Sequence, residues 1–109
     1  MNLIDIHKAA HRIKPFIKRT PLIKEEILSV ITDKNIFLKL ENLQITHAFK
    51  IRGNANVIPL LSTKLKRHGL ITASTGNHGI GFSYISGIQN IAATVVVPMI
   101  TPKSKIETI

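Results

Sequence analysis

The succession of patterns along the chain predicts an α/β fold built from βαβ units around a parallel sheet. Three runs with strand character, residues 36–40, 70–73 and 92–97, alternate with segments of helical character. The last run is apolar and rich in β-branched residues, which is typical of a strand covered on both faces. Because ligands of such sheets gather beyond the carboxyl ends of the strands, the residues that follow each strand are candidates for a functional site.

The N-terminal part of the chain predicts two helices and a strand. Apolar side chains recur there at helical spacing, and Pro15 should end the first helix at about residue 14. Residues 20–22 indicate a turn into a short extended segment, and we expect residues 23–31 to form a short helix. Alternation of side chains in residues 36–40 predicts the first strand of the sheet.

The remainder of the chain predicts three further helices. The first should run from about Ala48 to Arg67, with a break at Pro59, because an interior proline removes a backbone hydrogen bond and costs about 3 kcal/mol. The second should span residues 76–87. Thr101 and Pro102 are expected to be the N-cap and first residue of the third, and a chain that ends within that helix suggests more chain beyond it.

Composition narrows the classes of function. The net charge is +9, but the basic residues are spread along the chain and aromatic residues make up only 5%, so we expect no nucleic-acid binding. No apolar run approaches the roughly 20 residues of a membrane helix, so we expect no membrane association. The absence of cysteine excludes disulfides and thiol catalysis, and it fits a cytoplasmic location.

The first residue that could carry chemistry is Lys50, in the segment Thr46–Gly53 that follows the first predicted strand. It lies at a predicted helix start, where the helix dipole and burial both disfavour the charged form of a lysine. A neutral lysine amine can form an imine with an aldehyde. The alternative is an ordinary exposed lysine, one of eleven in the chain, paired with Glu41.

The second candidate is the segment Ser74–Gly79, which follows the strand predicted at residues 70–73. Free N–H groups at a helix start, together with hydroxyl side chains, can bind a carboxylate or phosphate, and Asn77 can donate to a ligand oxygen. The alternative is an ordinary helix start, with Ser74 or Thr75 as its N-cap. An imine-forming lysine beside an anion site suits pyridoxal phosphate chemistry on an amino acid.

The histidines offer weaker candidates. His7 and His11 are four residues apart on the first predicted helix, as metal ligands can be, but no carboxylate pattern completes a site. We therefore expect them to be surface residues and predict no metal site. His78 is either a general base or a residue with a packing or hydrogen-bonding role.

Taken together, the segments resemble the N-terminal third of the serine/threonine dehydratases and serine racemases, which are pyridoxal phosphate (PLP) enzymes of fold type II. The resemblance covers essentially the whole chain and rests on five segments in order: Thr20–Leu22, Lys39–Gln44, Phe49–Gly53, Ala73–Gly79 and Pro98–Lys103. It implies the tryptophan synthase beta-like fold, incomplete in this chain. Residues 1–69 would form the N-terminal part of the large domain with the lysine helix, and residues 70–109 the first part of the small domain.

The resemblance also implies roles for individual residues. Lys50 would bind PLP as an imine and remove the α-proton of the substrate. Phe49 would pack beside the cofactor ring, and Asn77 would bond the phenolic oxygen of the cofactor. The implied activity is a lyase reaction of amino-acid metabolism, the deamination of a hydroxy amino acid to a 2-keto acid and ammonia. The residues expected to hold the substrate carboxylate are Ser74, Thr75, Gly76, Asn77 and His78.

Several positions depart from the family pattern and keep alternatives open. Serine racemases have a hydroxyl residue at the position of Thr75, whereas many dehydratases have alanine there. A racemase or another hydroxy-amino-acid ammonia-lyase is therefore the runner-up. His47 stands in place of a usual glycine and Asn54 in place of a usual alanine, while Pro59 interrupts the lysine helix. These three departures favour a degenerate, non-catalytic α/β module instead.

Family members are much longer than this chain. The resemblance places the glycine-rich loop for the PLP phosphate, and the residue that faces the pyridine nitrogen, outside these 109 residues. We therefore expect negligible activity from this chain alone and a need for a C-terminal part or a partner chain. Assembly into a homo-oligomer is possible on the same grounds.

Overall fold

The structure is a computed structural model that describes residues 2–109. Helices and short strands alternate along these residues, with three 3-10 turns at Lys14–Phe16, Glu41–Leu43 and Ile58–Leu60. The elements in chain order are α1 (Leu3–Ile13), β1 (Leu22–Lys24), α2 (Glu26–Thr32), β2 (Phe37–Lys39), α3 (Ile51–Val57), α4 (Thr63–His68), β3 (Leu70–Ala73), α5 (Asn77–Ile88), β4 (Ala93–Val96) and α6 (Lys103–Thr108).

The α/β class predicted from the sequence is confirmed, and β3, α5 and β4 form the expected βαβ unit. β3 and β4 pair in parallel, with Leu70 opposite Ala93 and Ala73 opposite Val96. The other two strands contradict the prediction of a wholly parallel arrangement, because β1 and β2 pair antiparallel. The connection between them holds only the seven-residue α2, and Asp33 ends that helix in the left-handed conformation (φ 52°), so the chain turns back beside β1.

Two helix predictions need correction. Residues 23–31 were expected to be one helix, but β1 occupies the first of them and α2 begins only at Glu26. Its start is fixed by Glu25, whose carboxylate accepts from the N–H of Leu28 at 2.6 Å. The single helix expected over residues 48–67 is divided into α3, a 3-10 turn that contains Pro59, and α4, which Ser62 caps. The predicted break at Pro59 is confirmed.

The core lies where α3 packs against α5 and α1. Gly81 of α5 sets the distance between α3 and α5, since a Cβ atom there would be 2.8 Å from Asn54 Nδ2 and 3.1 Å from Ile51 Cα. The backbones of the two helices therefore approach more closely than any other residue at this position would allow. The buried apolar side chains of this core are Ile13, Ile51, Ala55, Ile58, Phe82, Ile85 and Ile91.

The strands are largely exposed. β4 has the composition of a strand covered on both faces, but three of its four residues are exposed, and so is every residue of β1 and β2. Each sheet has only two strands within residues 2–109, and α5 packs beside β3 and β4, so much of each strand has no neighbour there. Within the same residues, no helix has both the length and the apolar character needed to cross a membrane.

Candidate active site

The lysine turn, residues 46–50, leads into α3 and ends at Lys50, which is the N-cap of that helix. The Lys50 ammonium group lies 5.3 Å from the centroid of the Phe49 ring, and the Phe49 side chain is 59% exposed. Lys50 itself is exposed, which contradicts the prediction of a buried lysine. The amine is therefore accessible from solvent and stands against a flat apolar surface.

Glu41 pairs with Arg52 and not with Lys50, which corrects the alternative considered for the lysine. Arg52 Nε lies 2.8 Å from Glu41 Oε2, and Arg52 Nη2 lies 2.7 Å from Glu41 Oε1. These hydrogen bonds hold the pKa of Glu41 at about 2 against the opposing effect of burial, and the Thr20 hydroxyl adds a further bond. The same carboxylate raises the pKa of Arg52. The pair fixes the turn after β2 to the first turn of α3.

The turn that precedes α5 is organised by the side chain of Ser74. Its hydroxyl oxygen accepts from the N–H of Gly76 at 3.3 Å and from the N–H of Gly79 at 3.2 Å. Gly76 is the N-cap, so the helix starts after both residues proposed as caps, although Ser74 still bonds its first turn. The N–H groups of Asn77 and His78 have no acceptor within residues 2–109. These two donors can bind an anionic oxygen.

His78 has a hydrogen-bonding role that involves a residue the sequence analysis did not single out. Its Nε2 atom lies 3.1 Å from the hydroxyl of Thr72, on β3, and its ring lies 6.3 Å from the ring of Phe82. The His78 side chain is exposed. The bond to Thr72 fixes the orientation of the imidazole at the mouth of a cleft.

That cleft, the lysine cleft, has a volume of about 590 Å³ and lies between α3 and β3. It brings together three of the predicted site residues, Phe49, Lys50 and His78. Most of the remaining wall is apolar and includes Val57, Ile58, Leu61, Leu70, Ile71 and Phe82.

Asn77 does not reach the lysine cleft. It lines a second cleft of about 600 Å³, the asparagine cleft, together with Thr46, His47 and Tyr84. Ser74, Thr75 and Gly76 line neither of the two clefts. The structure thus divides the predicted site residues between two sides of the lysine turn.

Two residues of the lysine turn, Thr46 and His47, line the asparagine cleft. The Thr46 hydroxyl is buried and has no hydrogen-bond partner within residues 2–109. His47 adopts a φ of 53°, a left-handed conformation that glycine occupies without strain. Its Nδ1 atom lies 3.2 Å from the carbonyl oxygen of Asn42. The histidine therefore fits the turn, but in a conformation that it adopts at a cost.

The βαβ unit, the accessible lysine and the open helix start are the features that the resemblance to fold type II PLP enzymes predicted. The chain belongs to the family of pyridoxal-phosphate dependent enzymes, whose family model matches residues 13–109. It is 48% identical over 106 residues to a catabolic L-threonine dehydratase of Staphylococcus aureus, and the match covers 96% of this chain and 31% of that protein.

Solved structures give the same family and the same coverage. The chain superposes on serine racemase from Dictyostelium discoideum with a TM-score of 0.92 and 36% identity, over 99% of this chain and 36% of that one. Threonine deaminase isoform 2 from Solanum lycopersicum gives a TM-score of 0.83 and 30% identity, over 99% and 31% of the two chains. The chain thus spans about a third of the length of the relatives it matches.

Proposed function

We propose that this chain supplies the lysine side of a PLP site in an enzyme that deaminates serine or threonine to a 2-keto acid and ammonia. The observation that carries the proposal is the arrangement at the lysine cleft, where the Lys50 amine stands over the Phe49 ring beside the start of α5. Its 48% identity to a catabolic L-threonine dehydratase supports the reaction class.

The side chains present fit PLP in their chemistry. Lys50 would hold the aldehyde carbon of the cofactor through its amine, and Phe49 would offer its ring to the pyridine ring. Asn77 lines the asparagine cleft, so its donation to the phenolic oxygen requires a cofactor that extends past the lysine turn between the two clefts. The buried Thr46 hydroxyl has no partner within residues 2–109, and Thr46 lines the asparagine cleft. When bound, PLP supplies an electron sink for the carbon from which the α-proton leaves.

The chain's own residues would position the amino acid and move its proton. The N–H groups of Asn77 and His78, at the positive end of the α5 dipole, would orient the substrate carboxylate together with Ser74, Thr75 and Gly76. Lys50 would accept the α-proton, and its position at the mouth of the lysine cleft leaves its amine free to reach that carbon. The β-hydroxyl would then depart as water with the proton that Lys50 accepted, and a second water would release ammonia and leave the 2-keto acid.

Racemisation of serine is the second candidate, and Thr75 favours it. This residue places an exposed hydroxyl directly before the N-cap of α5, where it could return a proton to the opposite face of the substrate carbon. The similarity to serine racemase structures also supports this candidate. A complete enzyme that contains this segment would convert L-serine to D-serine if it is a racemase, and to pyruvate if it is a dehydratase.

Other properties of the whole protein are proposals of the same kind. We place the boundary between a large and a small domain at residues 69 and 70, and we infer a cytoplasmic location and a role in amino-acid metabolism. The absence of cysteine and the similarity to metabolic enzymes support the last two. We expect negligible turnover from residues 1–109 alone, with activity dependent on further chain or on a partner, a second copy included.

The test is to incubate the purified chain with PLP, reduce it with borohydride, and map the label over all eleven lysines. We expect the label to concentrate on Lys50. Lys103 is the internal reference, because its side chain is 89% exposed and lines neither cleft. Equal labelling of Lys50 and Lys103 would contradict the proposal and favour a non-catalytic α/β module.

A further inference from the structure

Asn54 joins the two segments that carry the candidate site. Its side-chain nitrogen Nδ2 lies 3.3 Å from the carbonyl oxygen of Lys50 and 3.2 Å from the carbonyl oxygen of His78. The first carbonyl belongs to the lysine turn, and the second to the first turn of α5. One amide group therefore contacts both segments, which are separated by more than twenty residues of chain.

The chemistry of the two neighbours fixes the role of the amide. Both are carbonyl oxygens and can only accept, so the NH2 group of Asn54, which has two hydrogens, is the group that can satisfy them. Asn54 is only 6% exposed, so water has little access to replace either bond. An alanine at this position could make neither bond.

The backbone around Asn54 leaves little room for another arrangement. Gly81, one turn along α5 from His78, allows α3 to approach until a Cβ atom at that position would lie 2.8 Å from Asn54 Nδ2. The side chain therefore fills the space between the two helices. It also forms part of the wall of the lysine cleft.

We propose that Asn54 is a positioning residue that holds the lysine turn at a fixed distance from the start of α5 through its hydrogen bonds to the Lys50 and His78 carbonyls. The inference rests on the proposed function, because the position of Lys50 matters only if its amine reacts. Asn54 touches neither substrate nor cofactor in this role. It determines where the amine stands relative to the anion-binding N–H groups.

The experiment compares PLP labelling of Lys50 in the full chain with that in N54A and N54D, each expressed as a ratio to the label on Lys103. We expect the ratio to fall about tenfold in N54A, the effect of losing two ordinary hydrogen bonds. N54D should fall further at pH 8, because its carboxylate would face two carbonyl oxygens. Lowering the pH should partly restore N54D, because the protonated acid regains one donor.

The control is N56A on the same helix. Asn56 accepts a hydrogen bond from Arg12 and has no bond to the lysine turn. We expect N56A to keep the Lys50 ratio of the unaltered chain even where its thermal stability falls as much as that of N54A. A normal ratio in N54A, or an equal loss in N56A, would overturn the positioning role.

Amide hydrogen exchange separates this inference from the proposed function. If Lys50 is not preferentially labelled in the unaltered chain, the proposed function fails, and exchange then decides the role of Asn54. Faster exchange in N54A than in N56A, in peptides that cover both residues 50–54 and residues 78–82, would support the link between the segments. Unchanged exchange in either peptide would overturn it.

Discussion

The helix pair α3–α5 and the hairpin unit β1–α2–β2 differ in how much of their apolar surface is buried within residues 2–109. Ile51 and Ile85, on the facing sides of the helix pair, are fully buried, and Asn54 bonds across it. In the hairpin unit, Val30 and Ile31 of α2 are 80% and 74% exposed, and every strand residue is exposed. The segment that carries the candidate site thus has its own core, while the hairpin unit leaves apolar surface open to solvent.

The largest expected effect tests this contrast by truncating one isoleucine in each region. Ile85→Ala should lower the free energy of unfolding by about 2–5 kcal/mol, because it removes a fully buried side chain and leaves a cavity. Ile31→Ala should change it by less than about 0.5 kcal/mol, because that side chain is mostly exposed. Urea unfolding followed by circular dichroism measures both. Similar losses would mean that α2 is buried in solution.

The second prediction concerns the close contact at Gly81. Gly81→Ala should lower the free energy of unfolding by about 1–3 kcal/mol, because the new Cβ atom would press on Asn54 and the Ile51 backbone. Gly87→Ala on the same helix is the matched control, since no atom lies within 4 Å of a Cβ there. It should be neutral or stabilising by up to about 1 kcal/mol. Equal effects in urea unfolding would show that the contact is not close.

The third prediction follows from the ion pair of Glu41 with Arg52. The folded-state pKa of Glu41 is about 2, below its ordinary value of 4.5, so the stabilisation is complete above pH 4.5 and is lost as the pH falls towards 2. The free energy of unfolding should fall by roughly 1 kcal/mol more over that range in the unaltered chain than in Glu41→Gln, because the pair is partly exposed.

The control for the ion pair is Glu107→Gln. Glu107 lies 3.8 Å from Lys103, and both side chains are largely exposed, so this substitution should leave the pH dependence almost unchanged. Urea unfolding at several pH values gives the comparison. If the free energy of unfolding depends on pH in the same way in the unaltered chain and in Glu41→Gln, the ion pair of Glu41 with Arg52 is not formed in solution.

The smallest expected change in stability comes from substituting one residue of left-handed conformation in each region. These residues are His47 before α3 and Asp33 after α2, with φ angles of 53° and 52°. Replacing either by glycine removes the strain, and we expect a gain of up to about 1 kcal/mol for each. His47→Gly should gain less, because it also loses the bond to the Asn42 carbonyl. Thermal unfolding of both variants measures the difference, and a loss of stability in His47→Gly would mean that this bond outweighs the strain.

Local signals in the sequence predicted the regular elements well where they were strong. β3 was predicted at its observed bounds, α5 to within a residue, and the break at Pro59 follows from the missing N–H of proline. The N-terminal hairpin was missed because strand pairing depends on the direction in which α2 returns the chain. The apolar run at β4 indicates what that strand could bury, whereas its exposure depends on the neighbours that cover it.

The links within the candidate site lay beyond sequence reasoning for a different reason. The residues proposed from motifs, Lys50 and the Ser74–Gly79 segment, remain predictions as site residues, and the structure brings only some of them to one cleft. Thr72 attracted no functional interpretation, and Asn54 was interpreted only as a departure that favours a non-catalytic module. Each acts through a residue that is remote in sequence or on another element.

Motion within the site is restricted by the absence of a side chain at Gly81. At Gly81 the backbone of α5 lies directly against Ile51 and Asn54 of α3, and packed interiors switch between discrete arrangements more readily than they deform. The lysine turn and the start of α5 should therefore travel together as one rigid body. Any opening that admits a ligand must then hinge outside this pair of helices.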